Sequence, residues 1–338
     1  MTRRTCLRSL CSLWRNIMDR FSQSVAGVFV VVLSVLHSGC VNIQIPPPPA
    51  QLEERQVSGT GKDKILLVDV SGMISSEEKS SFYTLPSMIA TIKEELTRAS
   101  RDESVKALVL RINTPGGTVT ASDIIHHELK LFKASRKIPV IASIMDVGAS
   151  GGYYIASAAD RIMAHPSTVT GSIGVIMLTV NTHGLLEKVG VEATAITSGP
   201  RKDMGSPFRA MTPEERGIFQ GLIDSFYQRF LTVVQEGRPN LQMEQIKKLA
   251  DGRIYTGDQA KAAGLVDEIG YLEEAIEAAK KKAGLTEAKV VTYHRPGDYS
   301  NNVYTKLMAP GPLAALGNLD VMSFVRGGTP QFMYLWMP

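Results

Sequence analysis

The chain has 338 residues, enough for one large domain or two small ones. Its 44% apolar and 21% charged residues suit a water-folded core and are too polar for a protein of many membrane spans. The net charge of +4 gathers in the leader, where Arg3, Arg4, Arg8, Arg15 and Arg20 face one acid, Asp19; the near-neutral remainder carries no nucleic-acid footprint. Cys6, Cys11 and Cys40 all precede the folded part, which therefore has no thiol for a disulfide, a zinc cage or a cysteine nucleophile.

The first segment reads as a targeting sequence: a basic stretch to Arg20, an apolar run over 25–36, then His37-Ser-Gly-Cys40 and the prolines 46–49. A basic region ahead of an apolar one is the signal-peptide pattern, and positive-inside bias leaves the rest of the chain outside the cytoplasm. Small residues before Cys40 resemble a lipoprotein cleavage site, whereas His37 stands where an aliphatic residue is usual. The apolar run falls short of the ~20 residues of a comfortable span. Both alternatives, signal peptide and membrane anchor, stand for 1–40, with a Pro-rich linker over 41–62.

Beyond the linker, short apolar runs alternate with helical patterns. Strands are expected over 65–70, 105–112 and 139–145, and helices over 85–100 and 122–134, an order that argues for a mostly parallel sheet with crossover helices. Further strands are expected over 173–178 and 191–196, around a short helix over 185–189. Helices come next over 213–235, 243–250, 257–263 and 272–283, before a last strand over 289–293. There is no internal repeat, so 63–294 reads as one α/β domain, and 295–338 as an extended tail packing on the domain or on a neighbour.

Ser150 lies in Asp146-Val-Gly-Ala-Ser-Gly-Gly-Tyr-Tyr154, at the junction of a strand and an apolar helical run. There, unpaired backbone N–H groups favour an alkoxide and a developing oxyanion, and flanking glycines admit a substrate backbone. A plain helix-capping serine is the alternative. Asn113-Thr-Pro-Gly-Gly117 comes after another strand, and its glycines can turn an N–H outward as half of an oxyanion hole, or simply make a turn. Two such turns at strand ends fall where open sheets place their sites.

A serine nucleophile needs a base. Of six histidines, His37 is in the leader, His126 and His127 are mid-helix and His294 precedes the tail, leaving His165 and His183. A lysine serves only where desolvation or a nearby cation favours its neutral amine. Lys202 lies in the turn-rich loop Ser198-Gly-Pro-Arg-Lys-Asp-Met-Gly-Ser-Pro207, where most lysines are solvated surface groups.

Taken together, five ordered blocks resemble the signal peptide peptidase A family, bacterial Ser-Lys peptidases with the fold of Clp protease and the crotonases. They are Asn113-Thr-Pro-Gly-Gly117, Ala149-Ser-Gly-Gly-Tyr-Tyr154, Thr170-Gly-Ser-Ile-Gly-Val175, Arg201-Lys-Asp-Met-Gly-Ser-Pro207 and Gly252-Arg-Ile-Tyr-Thr-Gly257. Gln259-Ala260 and Gly264-Leu-Val-Asp267 extend the last block. The resemblance implies Ser150 as nucleophile, a neutral, buried Lys202 as general base, Ser172 orienting the lysine, and Gly117 and Gly151 supplying the oxyanion N–H groups. It further implies no metal or organic cofactor, and signal-peptide remnants and other apolar peptides as substrates. A tethered domain on the extracytoplasmic side of a bacterial membrane is expected, in a homo-oligomeric ring whose sites can span subunits. A crotonase-like acyl-CoA enzyme and a non-catalytic membrane scaffold are the competing readings of the same fold.

Overall fold

Segments 65–70, 105–112 and 139–145 are largely apolar, broken only by residues such as Asp69, Lys106 and Arg111, as strands covered on both faces are. All three enter one sheet. The computed structural model describes residues 51–77, 79–80, 84–295 and 331–337. The chain divides into the units Met1–Pro48 and Pro49–Pro338. The first, with the expected signal sequence or anchor and Cys40, lies outside the described residues.

In chain order the strands are β1 (Glu53–Gly59), β2 (Lys64–Ser71), β3 (Lys79–Ser80), β4 (Thr84–Leu85), β5 (Val105–Thr114), β6 (Gly116–Thr118) and β7 (Val140–Ala149). They continue with β8 (Arg161–Ala164), β9 (Val169–Gly171), β10 (Ile176–Met177), β11 (Ile254–Thr256), β12 (Glu268–Ile269), β13 (Lys289–His294) and β14 (Phe332–Leu335). The helices are α1 (Met88–Ser100), α2 (Val119–Arg136), α3 (Gly151–Ala156), α4 (His183–Lys188), α5 (Pro213–Gly237), α6 (Met243–Leu249), α7 (Gly257–Ala262) and α8 (Leu272–Lys282). The main sheet runs β1-β13-β2-β5-β7-β8-β12, and a second sheet runs β10-β14-β6. Within the main sheet every pairing is parallel except β1 with β13 and β11 with β9.

Period-two alternation along β2 divides the core. Leu66, Val68 and Val70 face the layer that includes α1, α2, α3 and α5, while Ile65 and Leu67 face α8 through Leu272, Ala275, Ile276 and Ala279. Burying each of these leucines and isoleucines contributes about 1.5–3 kcal/mol. The result is an α/β domain with a parallel sheet, crossover helices and a helical C-terminal region, as the sequence predicts.

Several expectations need correction. Residues 53–59, assigned to the linker, form β1 against β13, satisfying an edge that would otherwise present unpaired N–H and C=O groups. The strand expected over 191–196 does not form: its backbone has no edge to pair with among the described residues, and Ile196 is 100% exposed. The strand over 173–178 shrinks to β10. The end of the tail forms β14, inside the second sheet.

Candidate active site

β7 is longer than its neighbour β8. It pairs β8 through Ile141 to Ile144, then continues to pair β9 through Val147 to Ala149. At its end the chain turns sharply at Ser150 (φ 52°, ψ −111°) into α3. That conformation is sparsely populated for a residue with a Cβ and costs about 1–3 kcal/mol, so the surroundings must hold it. They do: the Ser150 N–H donates to the Gly171 carbonyl at 2.7 Å, and the Ser150 carbonyl accepts from the Tyr154 N–H at 2.9 Å. Ser150 is 1% exposed, and its Oγ has no hydrogen-bond partner among the described residues. A buried hydroxyl left unsatisfied costs about 1–3 kcal/mol, which makes it a group to explain by chemistry rather than by packing.

β6 passes directly beside this turn. A Cβ built on Gly151 would lie 3.2 Å from the Gly117 nitrogen and 2.5 Å from Ser122 Oγ, so only glycine permits this approach and the two glycine backbones are neighbours. β6 is pinned by Ile74, whose N–H donates to the Gly116 carbonyl and whose carbonyl accepts from the Thr118 N–H, both at 2.9 Å. Thr114 Oγ1 accepts from the Gly116 N–H at 3.0 Å.

Ser172 joins the same place by tertiary pairing. β9 aligns Gly171 with Ala149, which sets Ser172 one residue beyond the partner of the Ser150 turn. Ser172 is buried, with φ 49°, and its N–H donates to the Arg253 carbonyl at 2.8 Å. Arg253 leads into β11, so the Gly252–Gly257 block, which has no chemistry of its own, braces Ser172. Ser150, Ser172, Gly117 and Gly151 are thus brought together.

Lys202 is not with them. Expected to be buried, it is instead exposed in a turn over 199–205, and no lysine reaches Ser150 Oγ among the described residues. The physical reason is an excursion that nothing among the described residues covers: Leu178, Val180, Leu185, Val189, Val191, Ile196 and Phe208 are all exposed around it. The loop is nevertheless anchored at its base. Arg209 donates to Asp203 at 2.7 and 2.8 Å and to Glu215 Oε2 at 3.0 Å, and Glu215 also accepts from the Thr212 N–H at 2.9 Å. The Arg209 guanidinium, with help from Thr212, holds the Glu215 carboxyl down to about 2, and likewise lowers Asp203.

The histidines are engaged elsewhere. His165 Nδ1 pairs with Ser167 at 2.9 Å and its ring meets Tyr271 edge-on, while the exposed His183 lies 3.4 Å from Glu187. His126 is buried against the Tyr154 ring, and burial, aided by Lys130, lowers it to about 4. Around it sits a group the sequence did not disclose: the Tyr154 hydroxyl donates to Asp123, which also accepts from Arg229 at 2.9 Å. Only the Tyr153-Tyr154 doublet hinted at it, since Asp123 and Arg229 are far apart in the chain. No group of three or more His, Cys, Asp or Glu that could hold a metal occurs among the described residues.

Residues 133–286 match the model of "Peptidase family S49". A protein of Enterococcus faecium described as "Putative signal peptide peptidase SppA" is 40% identical over 242 residues, 71% of this chain and 70% of that protein. "Serine protease SPPA, chloroplastic" of Arabidopsis thaliana is 36% identical over 69% of this chain and 34% of its own length. Among solved structures, a ClpP1 mutant from Listeria monocytogenes matches with a TM-score of 0.41 and 21% identity, over 62% of this chain and 94% of that one.

Proposed function

The chain belongs to peptidase family S49, the serine-type peptidases that include signal peptide peptidase A, and from that premise we propose a membrane-associated endopeptidase using Ser150 as nucleophile and Lys202 as general base. The observation that carries it is the strained, buried Ser150 with an unpartnered Oγ beside the Gly117 and Gly151 backbones.

The chemistry needs a neutral amine at Lys202 to take the Ser150 hydroxyl proton as Oγ attacks a peptide carbonyl. The Gly117 and Gly151 N–H groups stabilise the tetrahedral oxyanion, a role worth about 10²–10³ in rate per donor. The C–N bond then breaks, the departing amine takes the proton back from Lys202, and water, deprotonated in turn by Lys202, hydrolyses the acyl-enzyme. Ser172 orients the lysine amine.

Lys202 reaches Ser150 from a neighbouring copy in a homo-oligomeric ring. The uncovered apolar excursion supports this, because a second subunit docking there would supply the desolvation that a lysine base requires. The substrates are remnant signal peptides and other apolar peptides, met at the extracytoplasmic face of a bacterial membrane to which residues 1–40 attach the domain. Hydrolysis of a fluorogenic apolar peptide by wild type, Ser150→Ala and Lys202→Ala tests the reading. Both variants are expected to lose turnover while keeping wild-type assembly; an active Ser150→Ala variant would refute it.

A further inference from the structure

The register of β7 changes just before the nucleophile. Against β5, Ile144 pairs with Ile112 and Gly148 with Thr114, so Met145, Asp146 and Val147 stand opposite the single residue Asn113. Bulges re-aim a strand beside active sites and leave the extra residues without ladder partners. The other edge changes partner in the same stretch, since β7 leaves β8 at Ile144 and takes up β9 at Val147.

This displacement decides which residues meet. Carried forward from Ile112 and Ile144, the register would set Gly117 opposite Ala149; carried forward from Thr114 and Gly148, it sets Gly117 opposite Gly151. The second arrangement is the one observed, with the Gly117 nitrogen 3.2 Å from the position of a Gly151 Cβ. The two registers differ by two residues, about 6.6 Å along a parallel strand. Without the bulge, the two N–H groups assigned to the oxyanion are not neighbours.

Side chains supply what the ladder lacks. Asn113 Oδ1 accepts from the Val147 N–H at 3.2 Å, and Asn113 Nδ2 donates to the Asp146 carboxylate at 3.0 Å. An asparagine amide offers an acceptor and a donor, as a peptide group does, so one side chain serves two consecutive residues of the bulge. The Asn113 backbone is itself fixed, because its carbonyl accepts from the Gly72 N–H at 3.0 Å, just past the end of β2. On the far edge the Thr168 hydroxyl is shared between the Ile144 carbonyl, at 3.0 Å, and the Met145 carbonyl, while the Thr170 hydroxyl donates to the Gly148 carbonyl at 2.7 Å. The threonines engage carbonyls; of these three side chains, Asn113 alone accepts an N–H of the bulge.

We infer that Asn113 is a positioning residue for the nucleophile: its amide replaces the missing strand partner across the β7 bulge and so sets the register that brings Ser150 to the Gly117 and Gly151 N–H groups. The inference rests on the reading of Ser150, Gly117 and Gly151 as the active site. A misplacement of about 1 Å there can cost on the order of 10²-fold in rate.

The test uses the full chain carrying Asn113→Ala, Asn113→Asp, or Asn113→Asp together with Asp146→Asn, each checked for folding by its thermal melt. Steady-state hydrolysis of a fluorogenic apolar peptide at neutral pH is read beside backbone hydrogen exchange over residues 146–151. Asn113→Ala is expected to lower kcat at least tenfold with KM within threefold of wild type, and to speed exchange over 146–151 at least tenfold. Asn113→Asp keeps an acceptor for the Val147 N–H but sets two carboxylates face to face, and is expected to lose kcat as well. The double variant again sets a donor against a carboxylate, with the two positions exchanged, and is expected to recover kcat to within threefold of wild type. A folded Asn113→Ala variant with wild-type kcat or wild-type exchange overturns the inference, as does a double variant no faster than Asn113→Asp. Should wild type leave the peptide uncut, the reading of Ser150 fails, and the exchange measurement still decides whether Asn113 holds the turn.

Discussion

Replacing Gly117 by alanine tests whether its N–H works where the geometry puts it. The added Cβ would lie 1.9 Å from the Ile74 carbonyl oxygen and 2.6 Å from the Ile74 carbonyl carbon and nitrogen. All three are backbone atoms, so no side chain can swing aside. Ordinary contact begins at 3.4 Å, so β6 and the Ile74 backbone must part by about 1.5 Å, and a misplacement of about 1 Å can cost on the order of 10²-fold in rate. Loss of one oxyanion donor gives a similar figure, about 10²–10³ in kcat. The overpacking should also cost about 1–3 kcal/mol of stability. Steady-state hydrolysis of a fluorogenic apolar peptide, with a thermal melt to show that the variant is folded, measures both effects. A folded Gly117→Ala variant that keeps turnover within a few-fold of wild type would refute the assignment of this N–H to the oxyanion.

The same geometry dictates other outcomes. His126 is lowered to about 4 from an ordinary 6.5, so the unfolded chain takes up this proton first on acidification. Its contribution, about 3 kcal/mol, is full above 6.5 and lost as the pH falls toward 4; urea unfolding should show that part of the acid slope missing in His126→Gln. Arg209→Ala releases both Asp203 and Glu215 and should cut turnover about tenfold or more through a loosened Lys202 loop, with Arg209→Lys recovering little because an ammonium cannot span both carboxylates. The Glu215 anchor itself is fully in place above 4.5 and lost as the pH falls toward 2, so wild-type loop order should survive to about pH 5 and then decay, as hydrogen exchange of the loop amides measured at each pH would show. Leu110→Ala, in the centre of β5 and 0% exposed, should cost about 2–5 kcal/mol by chemical denaturation without changing the site's chemistry.

The features legible in the sequence were those that local pattern encodes. The largely apolar runs of β2, β5 and β7 and the glycine-flanked Ser150 announce a parallel sheet with a strand-to-helix turn at its edge. β8, β9, β11 and β12 span only two to four residues, too few for any period to register. Ser172 is placed by the pairing of β9 with the far end of β7, a tertiary fact about residues more than twenty positions apart. The segment over 191–196 has the apolar, β-branched composition of a strand but pairs with no edge among the described residues. Lys202 stands differently: its motif pointed to the site, and among the described residues it is exposed amid apolar side chains that are exposed as well. An aromatic cluster draws Tyr154, Phe226, Phe230 and Tyr334 from three separate regions, and only the tail's apolar character hinted that it would dock.

The most direct test of the account is subunit complementation between Ser150→Ala and Lys202→Ala, each inert alone, co-expressed and assayed on a fluorogenic apolar peptide. If serine and lysine come from adjacent copies, random mixing in equal amounts leaves about a quarter of the sites with both groups intact, and about a quarter of wild-type turnover should return. A mixed assembly as inert as its parents would contradict a site shared between subunits, and turnover by either variant alone would contradict the Ser-Lys dyad itself.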